Sequence, residues 1–246
     1  MALVSVIITT FNRKKLLDRC LRSILNQTFS DFEVIVIDNF SNYDFFNFVR
    51  SFNDTRIRPF QNKNNGIISV NRNFGIKKSS GEYVAFCDDD DVWLKKKLEI
   101  QLNIFSSTNY NVVCSSINSY IDEQRKVPRI TSKLLSFFLN LNLIHSKYIL
   151  IFFNYVATSS VIAKKEIFKK LNFDENKDFI AIEDYDLWFR ISLEMPIYYT
   201  KKRLINYYIH KSQSSNIYKT NIKSKKVFFK NESKINKIQK LLFLIK

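Results

Sequence analysis

Residues 64–93 read NNGIISVNRNFGIKKSSGEYVAFCDDDDVW, and this stretch decides the fold. Ile67–Lys78 has helical character and is closed by Ser79-Ser80-Gly81, with Gly81 suited to a left-handed stop. Tyr83–Cys87 is a short apolar run of strand type, and it passes straight into Asp88-Asp89-Asp90-Asp91. Ahead of the helix, Asn64-Asn65-Gly66 reads as a turn that needs a left-handed backbone position. A helix feeding a buried strand that ends on acids is the working part of an α/β unit.

The same alternation extends outward in both directions. Upstream, Leu3–Thr10 (LVSVIITT) reads as a buried strand and Lys14–Gln27 as a helix through Leu17, Cys20, Leu21, Ile24 and Leu25. Glu33–Asp38 is a second strand ending on a carboxylate, Tyr43–Phe52 a helix and Arg56–Phe60 a short strand. Downstream, Trp93–Ser106 is again helical. Strands alternating with helices of roughly 10–15 residues predict an α/β, doubly wound, mostly parallel sheet flanked by helices. Ligands of such sheets sit beyond the carboxyl ends of the strands, where Asp38 and Asp88–Asp91 fall.

The second half is less regular. Val112–Ser116 and Asn118–Ile121 read as strands, Leu134–Phe153 as an aromatic-rich helical segment, and Val156–Ala163 as a strand. Lys165–Leu171 and Ile182–Leu193 (IEDYDLWFRISL) read as helices and Arg203–Ile209 as a last strand. The aromatics of Phe137–Tyr155 suit either core and lid packing or a groove for a lipid-linked acceptor. No internal repeat or linker divides the chain, which predicts one domain over 1–215 and a helical basic extension over 216–246.

Composition narrows the function classes. The 246 residues are 46% hydrophobic and 25% charged, an ordinary globular balance that excludes wholesale disorder. Three cysteines (Cys20, Cys87, Cys114) are too few for a disulfide framework and suit a reducing compartment. The N-terminal apolar run precedes its basic residues, the reverse of a secretory signal, and no stretch reaches the roughly 18 apolar residues of a membrane span. These features predict a cytoplasmic protein. The net charge of +16 is uneven: residues 201–246 hold 13 Lys/Arg against Glu232 alone, while residues 1–200 are near balance. From Ile222 onward, lysines at three- and four-residue steps alternate with Val227, Phe228, Ile235, Ile238 and Leu241-Leu242-Phe243. That pattern suits an amphipathic helix on an anionic membrane surface or one docked on the domain, and argues against nucleic acid as partner.

The acids carry the chemistry. Four consecutive aspartates at a buried strand end repel one another, and a divalent cation resolves the conflict. An all-oxygen cluster suits Mg²⁺ or Mn²⁺. In extended backbone Asp88 and Asp90 share one side and Asp89 and Asp91 the other, with Asp91 read as the N-cap of the next helix. Arg72 on the preceding helix is expected near the strand ends, where a guanidinium meets phosphate oxygens. In Ile182–Leu193, Glu183 and Asp186 lie on neighbouring faces while Asp184 points about 100° away; an acidic helix N-terminus is also favoured by the dipole alone.

Four segments together resemble the family-2 glycosyltransferases of the GT-A fold: SVIITTFNR (5–13), EVIVIDNFS (33–41), NNGIISVNRNFGIKKSSGEYVAFCDDDDVW (64–93) and EDYDLWFRI (183–191). The resemblance covers roughly residues 3–210 and implies a nucleotide-binding half over 1–115 and an acceptor half over 116–215. It implies that Thr10, Phe11 and Asp38 line the base pocket and that Arg72 sits beside the donor pyrophosphate or ribose. Asp88-Asp89-Asp90 would be the Asp-x-Asp element, with Asp90 the firmest metal ligand and Asp88 or Asp89 nearer the ribose. Glu183-Asp184 would be the acceptor-side pair with Asp184 as base, and His210 would join Asp88 and Asp90 on the metal. Where members often have Asp-Gly-Ser after the second strand, this chain has Asn39-Phe40-Ser41 after Asp38. The Gln-x-x-Arg-Trp motif of processive synthases is absent, which implies single-sugar transfer.

The resulting expectation is an inverting, Mn²⁺- or Mg²⁺-dependent transfer of one sugar from a nucleotide-diphosphate donor, with UDP-sugars the commonest in the family. The acceptor would be a glycan or lipid-linked saccharide in envelope polysaccharide synthesis, at the inner face of the cell membrane. One alternative acceptor is a polyprenyl phosphate. A non-enzyme alternative is a basic module binding membrane or nucleic acid.

Overall fold

The computed structural model describes residues 2–121, 124–126, 146–152, 154–209, 220–236 and 239–240. The first half alternates as its sequence predicts: β1 (Val4–Thr10), α1 (Lys14–Leu25), β2 (Phe32–Asp38), α2 (Phe45–Arg50), β3 (Ile57–Gln61), α3 (Ile68–Lys78) and β4 (Tyr83–Asp88). The second half contributes β5 (Val92–Trp93), α4 (Lys97–Ser107), β6 (Val112–Ile121), β7 (Gln124–Lys126), α5 (Ser146–Phe152), β8 (Ile162–Lys164), α6 (Glu183–Glu194), β9 (Tyr198–Ile209) and α7 (Thr220–Lys230). Short 3₁₀ turns stand at Thr158–Ser160, Lys165–Lys169, Lys177–Phe179 and Glu232–Lys234.

Among the described residues the strands form one sheet in the order β3-β2-β1-β4-β8-β6-β9-β5, with β7 paired to β6. The first four are parallel, and the register sets Thr10 opposite Asp38 and Thr9 opposite Asp88. Three strand ends therefore open at one level. Beyond β4 the sheet is mixed: β8 runs antiparallel to β4 and β6, whereas β6 and β9 are parallel.

Period-2 alternation sends strand side chains to two cores. Val4, Val6 and Ile8 of β1 pack with Val34 and Val36 of β2 against α1, α2 and α4. Ile7, Ile35, Ile37 and Phe86 pack on the other face with Ile76 of α3 and Leu187, Trp188 and Ile191 of α6. Helices thus cover both faces, as doubly wound sheets require. Helix α3 lies unusually close to the sheet because Gly75 has no side chain: a Cβ there would stand 2.6 Å from Ile7 Cγ2. That approach brings Arg72, nearly one turn earlier, over the strand ends.

Several expectations change. Gly66 has the left-handed φ of 78° that its turn predicted. Gly81 does not; it abuts β1, where a Cβ would lie 2.7 Å from the Ser5 backbone nitrogen, and extended Ser79 ends the helix. Trp93, the start of the predicted helix, pairs instead with β9 together with Val92, so α4 begins at Lys97 and Asp91 is a buried acid, not an N-cap. Val156–Ala163 is strand only at its end, because Thr158–Ser160 coils into a 3₁₀ turn; Lys165–Lys169 is likewise 3₁₀. The predicted strands around residue 117 merge into β6, which carries irregular pairing at Ser115–Ile117. Most of Leu134–Phe153 lies outside the described residues, within which Ser146–Phe152 is helical.

The described part of the basic segment is docked. Val227, Phe228 and Ile235 are buried in the α6-side core, and Lys230 pairs with Asp174 and Asp186. Lys225, Lys226 and Phe229 face solvent.

Candidate active site

The carboxyl ends of β1 and β4, the loop after β2 and the start of α6 enclose a cleft of about 350 Å³. Its lining brings together Thr10, Phe11, Arg72, Asp88, Asp89, Asp90, Glu183 and Asp184, residues spread over 175 positions of sequence. Asn39, Asn64, Gly66, Ala181 and Tyr207 complete much of the wall.

On the β4 side, extended backbone stops at Asp88, and the Asp91 N–H closes a turn by donating to the Asp88 carbonyl at 3.1 Å. The alternation expected of an extended segment therefore fails: Asp88, Asp89 and Asp90 all line the cleft, and only Asp91 points away, fully buried. Arg13 Nη1 donates to Asp89 Oδ1 at 3.0 Å and Asp90 Oδ2 at 3.2 Å, and Thr10 Oγ1 donates to Asp89 Oδ2 at 2.7 Å. Arg19 Nη2 donates to the Asp90 carbonyl at 2.7 Å while its guanidinium stacks on Tyr208.

On the α6 side, Glu183 and Asp184 open the helix just after Ala181, whose φ of 69° is strained for a residue with a Cβ. Both acids face the cleft, while Asp186 turns away to Arg190 and Lys230. Asp184 Oδ1 accepts from the Tyr185 N–H at 2.6 Å and Oδ2 from Thr158 Oγ1 at 3.2 Å.

Arg72 ties the two sides. It is 4% exposed, donates from Nη1 to Glu183 Oε1 and from Nη2 to Asp88 Oδ1, both at 2.8 Å, and stacks on Phe173. Burial and concentrated negative charge shift several groups. Burial, offset by Arg13 and reinforced by Asp90, pushes the Asp89 carboxyl up to about 7. Burial and the neighbouring Glu183, offset by Arg72, push Asp184 up to about 6. Asp91 is raised well above the carboxylate range, by burial first and then by Asp90 and Asp88.

The donor set suits a hard divalent cation shared with a phosphate ligand. Asp88 and Asp90 offer carboxylate oxygens to one cleft, and among the described residues no three ligand-type side chains gather into a cage of their own. Two carboxylates plus phosphate oxygens is how Mg²⁺-type ions are ordinarily held beside nucleotides. His210 lies outside the described residues.

One sequence expectation meets a different geometry. Asp38 is fully buried and accepts from the Ser41 N–H at 2.9 Å, the Ser41 hydroxyl and Gln61 Nε2 at 3.0 Å, so it braces the loop behind the cleft while Asn39 forms the wall. Phe40, next to it, holds a left-handed φ of 60° and is 57% exposed. Arg13, Thr158 and Tyr207 were not singled out by the sequence. Arg13 stands in the quoted SVIITTFNR segment four residues before Leu17 of α1, and that position at a strand–helix junction was the available signal. Nothing in the spacing of Thr158 or Tyr207 marks them.

The family model for glycosyl transferase family 2 matches residues 5–171. A Rickettsia bellii glycosyltransferase is 43% identical over 126 residues, 51% of this chain and 18% of that protein. This chain therefore spans about a fifth of such a relative's length. An Escherichia coli UDP-Glc:α-D-GlcNAc-diphosphoundecaprenol β-1,3-glucosyltransferase, WfaP, is 29% identical over 191 residues, 78% of this chain and 70% of its own. A Campylobacter jejuni GalNAc(5)-diNAcBac-PP-undecaprenol β-1,3-glucosyltransferase is 43% identical over 102 residues, 39% of this chain and 32% of its own. Among solved structures, S. aureus TarS 1–349 in complex with UDP superposes with a TM-score of 0.70 at 20% identity, covering 93% of this chain and 66% of that one. That likeness shows a shared fold.

Proposed function

The chain belongs to glycosyl transferase family 2, and from that premise we propose that it transfers one sugar from a UDP-sugar to a lipid-linked glycan, inverting the anomeric carbon. One observation carries the reading: Asp88–Asp90 and Glu183–Asp184 line the same cleft and are bridged by Arg72. The TarS complex with UDP supports the donor class. The diphosphoundecaprenol acceptors named for the E. coli and C. jejuni relatives support the acceptor class and a place in envelope polysaccharide synthesis.

Phe11 and Thr10, at the end of β1, would meet the nucleoside, within a nucleotide-binding half over 1–115 and an acceptor half over 116–215. Asp88 and Asp90, with His210 as a further candidate, would hold Mn²⁺ or Mg²⁺, which supplies charge neutralisation to the departing nucleotide diphosphate. Arg72, already raised above its ordinary pKa range by Asp88 and Glu183 against the opposing effect of burial, stays charged throughout and fixes both acids. Glu183 orients Arg72. Asp184 accepts the acceptor hydroxyl proton as that oxygen attacks; with a pKa near 6 it is ionised at neutral pH yet basic enough to take a proton. With Asp184 as the base and Glu183 engaged by Arg72, direct attack of the acceptor oxygen opposite the leaving group gives inversion.

Among the described residues no helix is long and apolar enough to cross a membrane. Reversible attachment at the inner face of the cell membrane would rest on exposed Lys225, Lys226 and Phe229 and on the lysine-rich residues that follow. Flotation on anionic vesicles, with and without residues 220–246, tests that attachment: equal recovery contradicts it.

Product analysis tests the function. Labelled UDP-glucose and Mn²⁺ are supplied with either undecaprenyl-diphosphate-linked GlcNAc or undecaprenyl phosphate. Disaccharide-lipid from the first acceptor alone is the expected result. Label only on undecaprenyl phosphate would replace the acceptor assignment, and no transfer from any UDP-sugar would contradict the reading.

A further inference from the structure

The segment expected to be a plain strand before β8 is interrupted by three hydroxyl residues, Thr158, Ser159 and Ser160, each no more than 4% exposed. Hydroxyls this deep in a core destabilise it unless they are hydrogen-bonded. Here each one is, and the partners fall into two groups. The first anchors the turn: Ser160 Oγ donates to the Ala157 carbonyl at 2.7 Å, Gln101 Nε2 donates to the Ser160 carbonyl at 2.9 Å, and Trp93 Nε1 donates to the Ser159 carbonyl at 3.0 Å. The second reaches the cleft from behind: Thr158 Oγ1 donates to Asp184 Oδ2 at 3.2 Å, and Ser159 Oγ accepts from the Asp88 N–H at 3.0 Å.

Consecutive residues of one rigid turn thus touch the two acid sets that face each other across the cleft. Asp184 sits at the first residues of a helix whose N-cap, Ile182, offers no side-chain bond, and Asp88 is the last residue of its strand. Each is held by its own element only at that element's edge, Asp88 through its pairing with Thr9 and Asp184 through the Tyr185 N–H. We propose that the Thr158–Ser160 turn is a positioning element, Thr158 orienting the Asp184 carboxylate and Ser159 holding the Asp88 backbone at a set distance from it. The proposal rests on Asp184 being the base.

Thr158 hydrogen-bonds the ionised form of Asp184, so its loss disfavours that form and misaligns the oxygen that takes the proton. The other charged or titratable groups near Asp184 are Glu183 beside it, Arg72 from α3, Asp88 from β4 and Tyr207 from β9, and they stay in place in the variants below. Thr158→Val keeps the volume and deletes the donor. Expected are an unchanged circular dichroism spectrum, a kcat about tenfold lower, a donor KM within about twofold, and an acid limb of the kcat–pH profile moved up by about one unit. Thr158→Ser restores kcat and the limb. Ser159→Ala gives the complementary signature, a donor KM raised about fivefold with the acid limb unmoved.

A Thr158→Val enzyme with wild-type kcat and acid limb overturns the proposal, as does a loss that Thr158→Ser fails to rescue. Should the valine variant not fold, Thr158→Ala against Thr158→Ser provides the same contrast. Asp184→Asn run alongside separates the two ideas. An active Asp184→Asn overturns the base and the positioning role with it, whereas an inactive one beside an unaltered Thr158→Val overturns the positioning role alone.

Discussion

Arg72→Met replaces a buried guanidinium by an apolar side chain of similar length and leaves two acids without their cation. The consequences are unequal. Asp88 has 31% of its side chain exposed and can rehydrate in the cleft, but Glu183 has 9%, and its Oε2 already lacks a hydrogen-bond partner. Breaking a buried pair by removing one partner costs about 3–5 kcal/mol, and exposure of Asp88 puts this case near the lower figure, about 3 kcal/mol. Glu183 is then the stranded charge, so adding Glu183→Gln to Arg72→Met returns about 1–2 kcal/mol. Loss of Arg72 also removes the cation that holds Asp184 down, so Asp184 rises above about 6 in the single variant. Urea unfolding of the four proteins of this cycle at pH 8, followed by circular dichroism with m-values compared, measures each term. A single-variant loss below about 1 kcal/mol, or a double variant less stable than Arg72→Met, refutes Arg72 as the bridge between the two sides.

Other variants probe separate parts of the account. Arg13→Met removes a guanidinium shared by Asp89 and Asp90, and Mn²⁺ titrated calorimetrically at pH 8 without donor is expected to bind about fivefold tighter, roughly 1 kcal/mol; unchanged or weaker binding counts against those acids as a cation site. Gly81→Ala sets a Cβ 2.7 Å from the Ser5 nitrogen and 2.9 Å from the Leu3 carbonyl, backbone atoms that cannot rotate aside, and is expected to cost about 1–3 kcal/mol in urea unfolding. Lys97 is fully buried, bonded to Gln101 and stacked on Trp93, and burial lowers its pKa from 10.5 to about 7. Between those values the unfolded chain binds the extra proton, so wild-type stability rises with pH from about 7 toward 10.5. Lys97→Met flattens that rise by a few kcal/mol, and parallel stability–pH curves for the two proteins would contradict it.

The parallel half of the fold was legible because β1, β2 and β4 are largely apolar runs, α1 is amphipathic and α3 is closed by small residues. Asp88–Asp90 could be placed at a cleft from the strand end and Arg72 near them from the preceding helix, whereas Thr10 followed only from the family resemblance. What stayed hidden was set by tertiary contacts. The turn at Asp88–Asp91 overrides the alternation that would have split the acids between two faces. Val92–Trp93 gives up helical propensity for pairing with β9, and Thr158–Ser160 gives up strand pairing for side-chain bonds to Gln101, Trp93 and Asp184. Asp38 illustrates the opposite error: a carboxylate at the right strand end, drawn inward by the Ser41 N–H and hydroxyl and by Gln61 because Asn39-Phe40-Ser41 folds back over it. The basic segment carried an amphipathic signal, and of its described apolar residues Val227 and Phe228 are buried in the α6-side core while Phe229 is exposed.

The central claim is that an acid at position 184 takes a proton opposite a nucleotide departing from the Asp88–Asp90 side. Measuring kcat and UDP-sugar affinity together for Asp184→Asn tests it most directly. The account predicts turnover reduced about 10²–10⁴-fold with the donor dissociation constant unchanged. Turnover near wild type, or affinity lost in parallel with turnover, would contradict it.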